Sequence, residues 1–174
     1  MNFWIVQAIG LLGNLIVISA LQFNNRRLVL GAQAIACCLW IVHYGILGAT
    51  TAVFTNFISF ARSIVFYHND KKWAKSPAWL WLIIALFALN SLFTWEGWRS
   101  ILPGVAMSLT TAALWTRNAA RMRLLYFLNS PFWLSYDLLS RSYSTALMES
   151  IALASYIIAI VPFDLGKKET KTHE

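Results

Sequence analysis

The 174-residue chain is long enough for one soluble domain, but 59% of it is hydrophobic and only 12% is charged, about half the charged share of a typical soluble domain. Its formal net charge of +7 would suit a nucleic-acid binder, yet the basic residues are scattered through short loops, so no nucleic-acid partner is expected and the charge reads as a topology signal. A soluble globular domain is excluded; the composition is that of a polytopic all-α membrane protein whose first partner is the lipid bilayer.

Charge-free runs cover residues 1–25, 28–61, 76–95 and 100–116, and a span across lipid needs about 20 apolar residues. Helices are expected near 3–22, 28–46, 51–67, 77–94, 101–116, 123–140 and 145–163. The opening MNFWIVQAIG lacks a positive leader and a small-residue cleavage site, so it is expected to be a retained first helix. The long run 28–61 exceeds one span and breaks between Gly45 and Thr50. Cys37 and Cys38 are neighbours on the second helix; they lack metal-ligand spacing and a bridge between them is strained, so they read as packing residues. The fourth helix carries Trp79, Trp81, Trp95 and Trp98 toward its ends, where indoles favour the membrane interface. After the seventh comes a short polar tail, LGKKETKTHE.

Lysine and arginine alternate across these spans. Arg26, Arg27, Lys71, Lys72, Lys75, Arg117, Arg121, Arg123, Lys167, Lys168 and Lys171 fall on one side, eleven in all. Arg99 and Arg141 alone fall on the other, and Arg62 lies within the third helix. An excess of eleven against two predicts an outside N-terminus and a cytoplasmic C-terminus; an even number of spans would break the alternation.

Sliding the chain on itself by 93 residues pairs Trp40 with Trp133, Asn25 with Asn118, Ala20-Leu21 with Ala113-Leu114, Ile58 with Ile151, Ala61 with Ala154 and Ile64 with Ile157. Helices 1–3 then fall on helices 5–7 without a gap. Two triplets in the same orientation need one additional span between them, which helix 4 supplies. This plan resembles the SWEET and PQ-loop superfamily of small transporters, a parallel-repeat architecture, and residues 3–163 as a whole resemble the YgjV-type bacterial inner-membrane proteins. The resemblance implies residues 1–69 as a first three-helix bundle, 70–99 as a linker helix, 100–163 as a second bundle and 164–174 as a cytoplasmic tail.

The resemblance also implies a site. SWEET-like halves place a Trp on the second helix and an Asn on the third, facing a central cavity. Trp40 and Asn56 match in the first half; in the second, Trp133 matches and Glu149 stands where the Asn belongs. The superfamily's proline–glutamine motif is degenerate: Leu21-Gln22 keeps only the Gln and Leu114-Trp115 neither residue. Pro103 and Pro131 are expected to kink their helices instead, and Gly10 and Gly13 to allow close approach to helix 1.

Physical chemistry reaches the same positions. An ionisable side chain in lipid costs roughly 2.5–3.5 kcal/mol on insertion scales, so it faces a partner or a wet cavity. His43 follows Trp40 by three residues and Asp137 follows Trp133 by four, which puts each on its Trp's helical face. Asn56 and Glu149 lie at similar depth, about five residues or roughly 8 Å from the outer helix ends. Trp40, His43, Asn56, Trp133, Asp137 and Glu149 are therefore the candidate solute-binding residues, with Glu149 and Asp137 as candidates to couple solute movement to protons. The duller readings are interface anchoring for the tryptophans, an interhelical hydrogen bond for Asn56, and an ion pair with Arg62 for Glu149. A small secondary transporter of a sugar-like or amino-acid-like solute is expected, the alternative being a receptor or accessory protein of the same fold that binds without transporting. No nucleophile–base pair, metal-ligand cluster or Gly-rich phosphate loop stands out, so neither an enzyme, a cofactor nor a metal is expected.

Reporter fusions that fluoresce only in the cytoplasm are expected to be bright after Asp70 and Arg121 and dark after Gly97 and Arg141; bright signal at both Gly97 and Asp70 contradicts the charge-derived orientation.

Overall fold

The computed structural model describes residues 2–21, 25–116 and 118–160. Gln22, Arg117 and the tail lysines 167, 168 and 171 lie outside the described residues. Seven α-helices, and no strand, occur among those described: α1 (Phe3–Leu21), α2 (Arg26–Ile46), α3 (Thr50–Tyr67), α4 (Ala78–Phe93), α5 (Ile101–Trp115), α6 (Ala119–Leu139) and α7 (Tyr143–Ile160). Short 3₁₀ turns at Lys72–Lys75 and Trp98–Ser100 flank α4.

The expected borders hold to within a few residues, apart from α6, which begins four residues earlier than the charge pattern implied. The reason is a cap. Asn118 accepts the Arg121 amide at 3.0 Å, as Asn25 accepts those of Arg27 and Leu28 at the start of α2, satisfying amides that the first turn leaves orphaned. Arg121 and Arg123 thus sit in the first turns of α6 instead of a loop. Pro103 also departs from expectation: it is the third residue of α5, where no intrahelical donor is lost, so it has no cause to kink the helix. Pro131 lies inside α6 and removes one ladder bond there.

A shift of 93 carries α2 onto α6 with the same first and last residues, and the start of α3 onto the start of α7. The turns between them match as well. Ala49 N donates to Tyr44 O at 2.9 Å and Ser142 N to Asp137 O at 2.8 Å, while Gly48 (φ 70°) and its equivalent Arg141 (φ 57°) both occupy the left-handed region. One backbone turn is thus built twice, comfortably on glycine and at a steric cost on arginine.

Each helix packs on its successor, and α1 meets α7 while α3 meets α5, closing a ring with α4 lodged between α3 and α5. At one end Arg27 pairs with Asp70 at 3.3 Å; at the other Gln7 Nε2 donates to Arg141 O at 3.0 Å and accepts the Ser144 amide on Oε1 at 2.9 Å. The equivalent of Gln7, Ser100, accepts from Thr51 at 3.2 Å. The two α1–α7 and α3–α5 seams are therefore clipped by polar groups at corresponding places.

Polarity is distributed inside out. Leu12, Ile35, Phe57, Leu92, Leu147 and Ile158 are exposed, while Thr51, Thr55, Ser59, Arg62 and Thr111 are fully buried. Thr55, Ser59 and Ser63 each donate to the carbonyl four residues earlier, so a small-residue stripe on α3 meets its neighbours without orphaned hydroxyls. By length and composition, Phe3–Ala20 and Arg27–Ile46 are long and apolar enough to cross a membrane; Ala78–Phe93 and Tyr143–Ile158 are apolar but shorter. Asn90 of α4 donates to Thr51 O at 3.1 Å and Thr55 Oγ1 at 2.9 Å, which fastens α4 to α3 from outside the ring.

Because Arg141 occupies a glycine-type conformation, Arg141→Gly is expected to stabilise the protein by about 0.5–1 kcal/mol and Gly48→Ala to destabilise it by about 1 kcal/mol; unfolding midpoints in detergent check both signs.

Candidate functional site

A cavity of about 1120 Å³ runs inside the helix ring. Its wide end is bordered by Asn25, Thr116 and Arg123, at the end of the ring that carries the predicted cytoplasmic loops. It then passes Gln33, Tyr126, Asn129 and Tyr156 to reach Trp40, Asn56, Trp133 and Glu149, and it ends at Tyr44, Asp137 and Thr145. No α4 residue lines it.

Beyond that floor the bundle is shut. Tyr44 donates to Asp137 Oδ1 at 2.6 Å, and these two occupy equivalent positions of the repeat. Tyr136 accepts the Ala52 amide at 3.2 Å, so α6 reaches into the first half. Its equivalent His43 reaches into the second, with Nε2 2.6 Å from Ser142 Oγ and Nδ1 2.8 Å from Val6 O. Ser142 and Thr145 hydroxyls are also hydrogen-bonded, and Thr145 Oγ1 donates to Ser142 O at 2.9 Å. His43, Tyr44, Tyr136, Asp137 and Ser142 are all buried. This layer closes that end of the cavity with hydrogen bonds instead of a greasy plug, and such bonds can be exchanged for water at modest net cost.

Of the six expected site residues, Trp40, Asn56, Trp133, Asp137 and Glu149 line the cavity. His43 does not: its ring is turned into the closing layer, where both nitrogens have partners. The shared helical face was correct for Trp40 and His43, but α1 intervenes. A Cβ on Gly10 would lie 2.8 Å from His43 Cε1, and one on Gly13 2.8 Å from Trp40 Nε1, so both glycines make room for these rings. Asn56 donates to Ala52 O of its own helix at 2.9 Å; Glu149 lines the cavity with Ser130, whose hydroxyl donates to Tyr126 O at 3.3 Å.

The Glu149–Arg62 ion pair does not form. Arg62 is fully buried behind the wall and donates from Nη1 to Thr111 Oγ1 at 3.1 Å, while its Nε and Nη2 have no hydrogen-bond partner. Sequence reasoning missed Tyr44, Tyr126 and Tyr156. Tyr44 was detectable, since it sits four residues after Trp40 and 93 before Asp137; the other two carry no signal short of packing.

A family profile for bacterial inner membrane proteins matches residues 4–167. The chain belongs to this Imp-YgjV family. The apolar exterior is accordingly the face that this inner-membrane protein turns to lipid, and the buried hydroxyls, amides and carboxyls line its interior. No curated protein and no solved structure matches the chain.

Removing the phenol at the floor, Tyr44→Phe, is expected to cost about 1–2 kcal/mol because Asp137 loses a buried donor. Thermal unfolding in detergent measures it, and an unshifted midpoint argues that the bond adds nothing net.

Proposed function

We propose that the protein is a small secondary transporter or facilitator that carries a small polar solute across the bacterial inner membrane. The supporting observation is the cavity itself: open at one end, furnished with polar and aromatic groups at mid-depth, and shut at the other end by a hydrogen-bonded layer on the seam between two equivalent halves. That is the shape of one state in an alternating-access cycle. Breaking the Tyr44–Asp137, His43–Ser142 and Gln7–Ser144 contacts while closing the Asn25–Arg123 end, by rocking one half against the other, yields the opposite state.

The finer architecture belongs to the same reading: two parallel three-helix repeats, residues 1–69 and 100–163, joined by α4, as in the SWEET and PQ-loop superfamily, with the N-terminus outside and the cavity facing the cytoplasm. Matching helix bounds, matching caps and matching left-handed turns at an offset of 93 support it. Trp40, Asn56, Trp133 and Glu149 then bind the solute, Asp137 links the site to the outer closure, and Glu149 carries a proton through the cycle. His43 acts in the closure alone. Nothing in this reading calls for catalysis, a cofactor or a metal.

Flux in vesicles tests it. Purified protein in liposomes is expected to equilibrate a solute that empty liposomes retain, faster with acid on the outer face. Glu149→Gln is expected to keep the fold and lose that pH dependence; undiminished pH dependence removes Glu149 from coupling. A protein that binds solute but never equilibrates it across the vesicle is a receptor or accessory protein instead.

A further inference from the structure

The cavity presents two acidic side chains, Asp137 and Glu149. No ion pair engages either one among the described residues. Aromatic side chains line the same cavity: Trp40, Trp133, which stacks on Tyr44, and the stacked pair Tyr126 and Tyr156, with ring centroids 5.8 Å apart. Carboxylates isolated from water need a counter-charge, and aromatic faces attract a cation by their quadrupole.

We propose that the solute is an organic cation, an amine or quaternary ammonium, whose charged nitrogen rests against Glu149 with the faces of Trp40 and Trp133 around it. The proposal rests on reading the cavity as the solute site and names the class of solute. The charges on every surrounding element agree with it. α1 contributes the neutral Asn14 and α2 the neutral Gln33; His43 of α2 is turned into the closure. On α3, Arg62 is not part of the lining: it is six residues beyond Asn56, roughly 9 Å along the helix, and is directed to Thr111 of α5. α5 adds Met107, Thr110 and Leu114, and Arg123 of α6 stands at the mouth, far from the carboxyls. The deepest part of the cavity thus carries carboxyls and aromatic rings, and Arg123 borders its entrance. A neutral sugar would leave both carboxyls without a counter-charge; an anion would be repelled by them.

The test uses the full chain in lipid nanodiscs, with choline, tetramethylammonium and putrescine each paired with an uncharged analogue of similar shape, such as 3,3-dimethyl-1-butanol for choline. Binding is read by calorimetry and by quenching of tryptophan fluorescence. At least one cation is expected to bind roughly tenfold more tightly than its uncharged partner. Glu149→Gln is expected to erase that preference and Glu149→Asp, which keeps the charge, to retain most of it, with the unfolding midpoint of each variant as the control for folding. If no cation outbinds its uncharged partner, or if Glu149→Gln binds the cation as the unaltered protein does, the proposal is overturned and the carboxyl serves only a proton. Vesicle flux separates this from the transport reading. Glu149-dependent cation binding without flux upholds the ligand class and ends transport, whereas flux of uncharged solutes without cation preference does the reverse.

Discussion

The hydrogen bond between Tyr44 and Asp137, 2.6 Å long, joins two positions that correspond under the 93-residue shift. Equivalent residues can touch only where the axis relating the halves passes between them, so this contact marks the axis at the closed end of the bundle. The neighbouring contacts follow in crossed pairs: His43 reaches Ser142 while Tyr136 reaches Ala52, and Gln7 reaches Ser144 while Ser100 reaches Thr51. Each half is thereby held by the other through hydrogen bonds between buried and half-buried groups. The floor of the cavity, the seam and the placement of Asp137 all derive from that arrangement.

The bilayer explains why so much polarity lies within. Lipid supplies no hydrogen bonds, so hydroxyls, amides and carboxyls are driven to the interior. Some are consumed by their own helices, as along α3, where Thr55, Ser59 and Ser63 bond back one turn. Others fasten α4 to the ring through Asn90 and Thr94. Asn56 and Ser130 also bond back one turn and, with Asn129 and Glu149, line the cavity. Glycines at Gly10 and Gly13 make this possible, because α1 can lie against the rings of His43 and Trp40 only where it carries no Cβ.

Much of the fold was legible in the chain. Charge-free runs located five of the seven helices and hydropathy the other two, and the repeat pair Asn25 and Asn118 falls on two equivalent caps. The start of α6 was misjudged because arginines at 121 and 123 look like a loop to a hydropathy argument, although a capped first turn at the water boundary accommodates them well. The matching turns at Gly48 and Arg141 were invisible, since a glycine and an arginine share no letter and only the backbone dihedral reveals their likeness. The site was legible in part for a similar reason. Helical spacing put His43 on the face of Trp40, but which neighbour that face meets is a property of the packed ring, and for His43 the neighbours are α1 and the α6–α7 turn.

By itself the sequence determined the membrane environment, the number of helices and the offset at which their bounds recur, because those depend on hydrophobicity, charge and spacing summed along the chain. The tertiary structure alone decided which end of the cavity is shut, that Arg62 faces Thr111 and not Glu149, and that Tyr44 meets Asp137. These are distances between residues far apart in the chain, and they are set by how seven helices crowd round one axis, which no local pattern encodes.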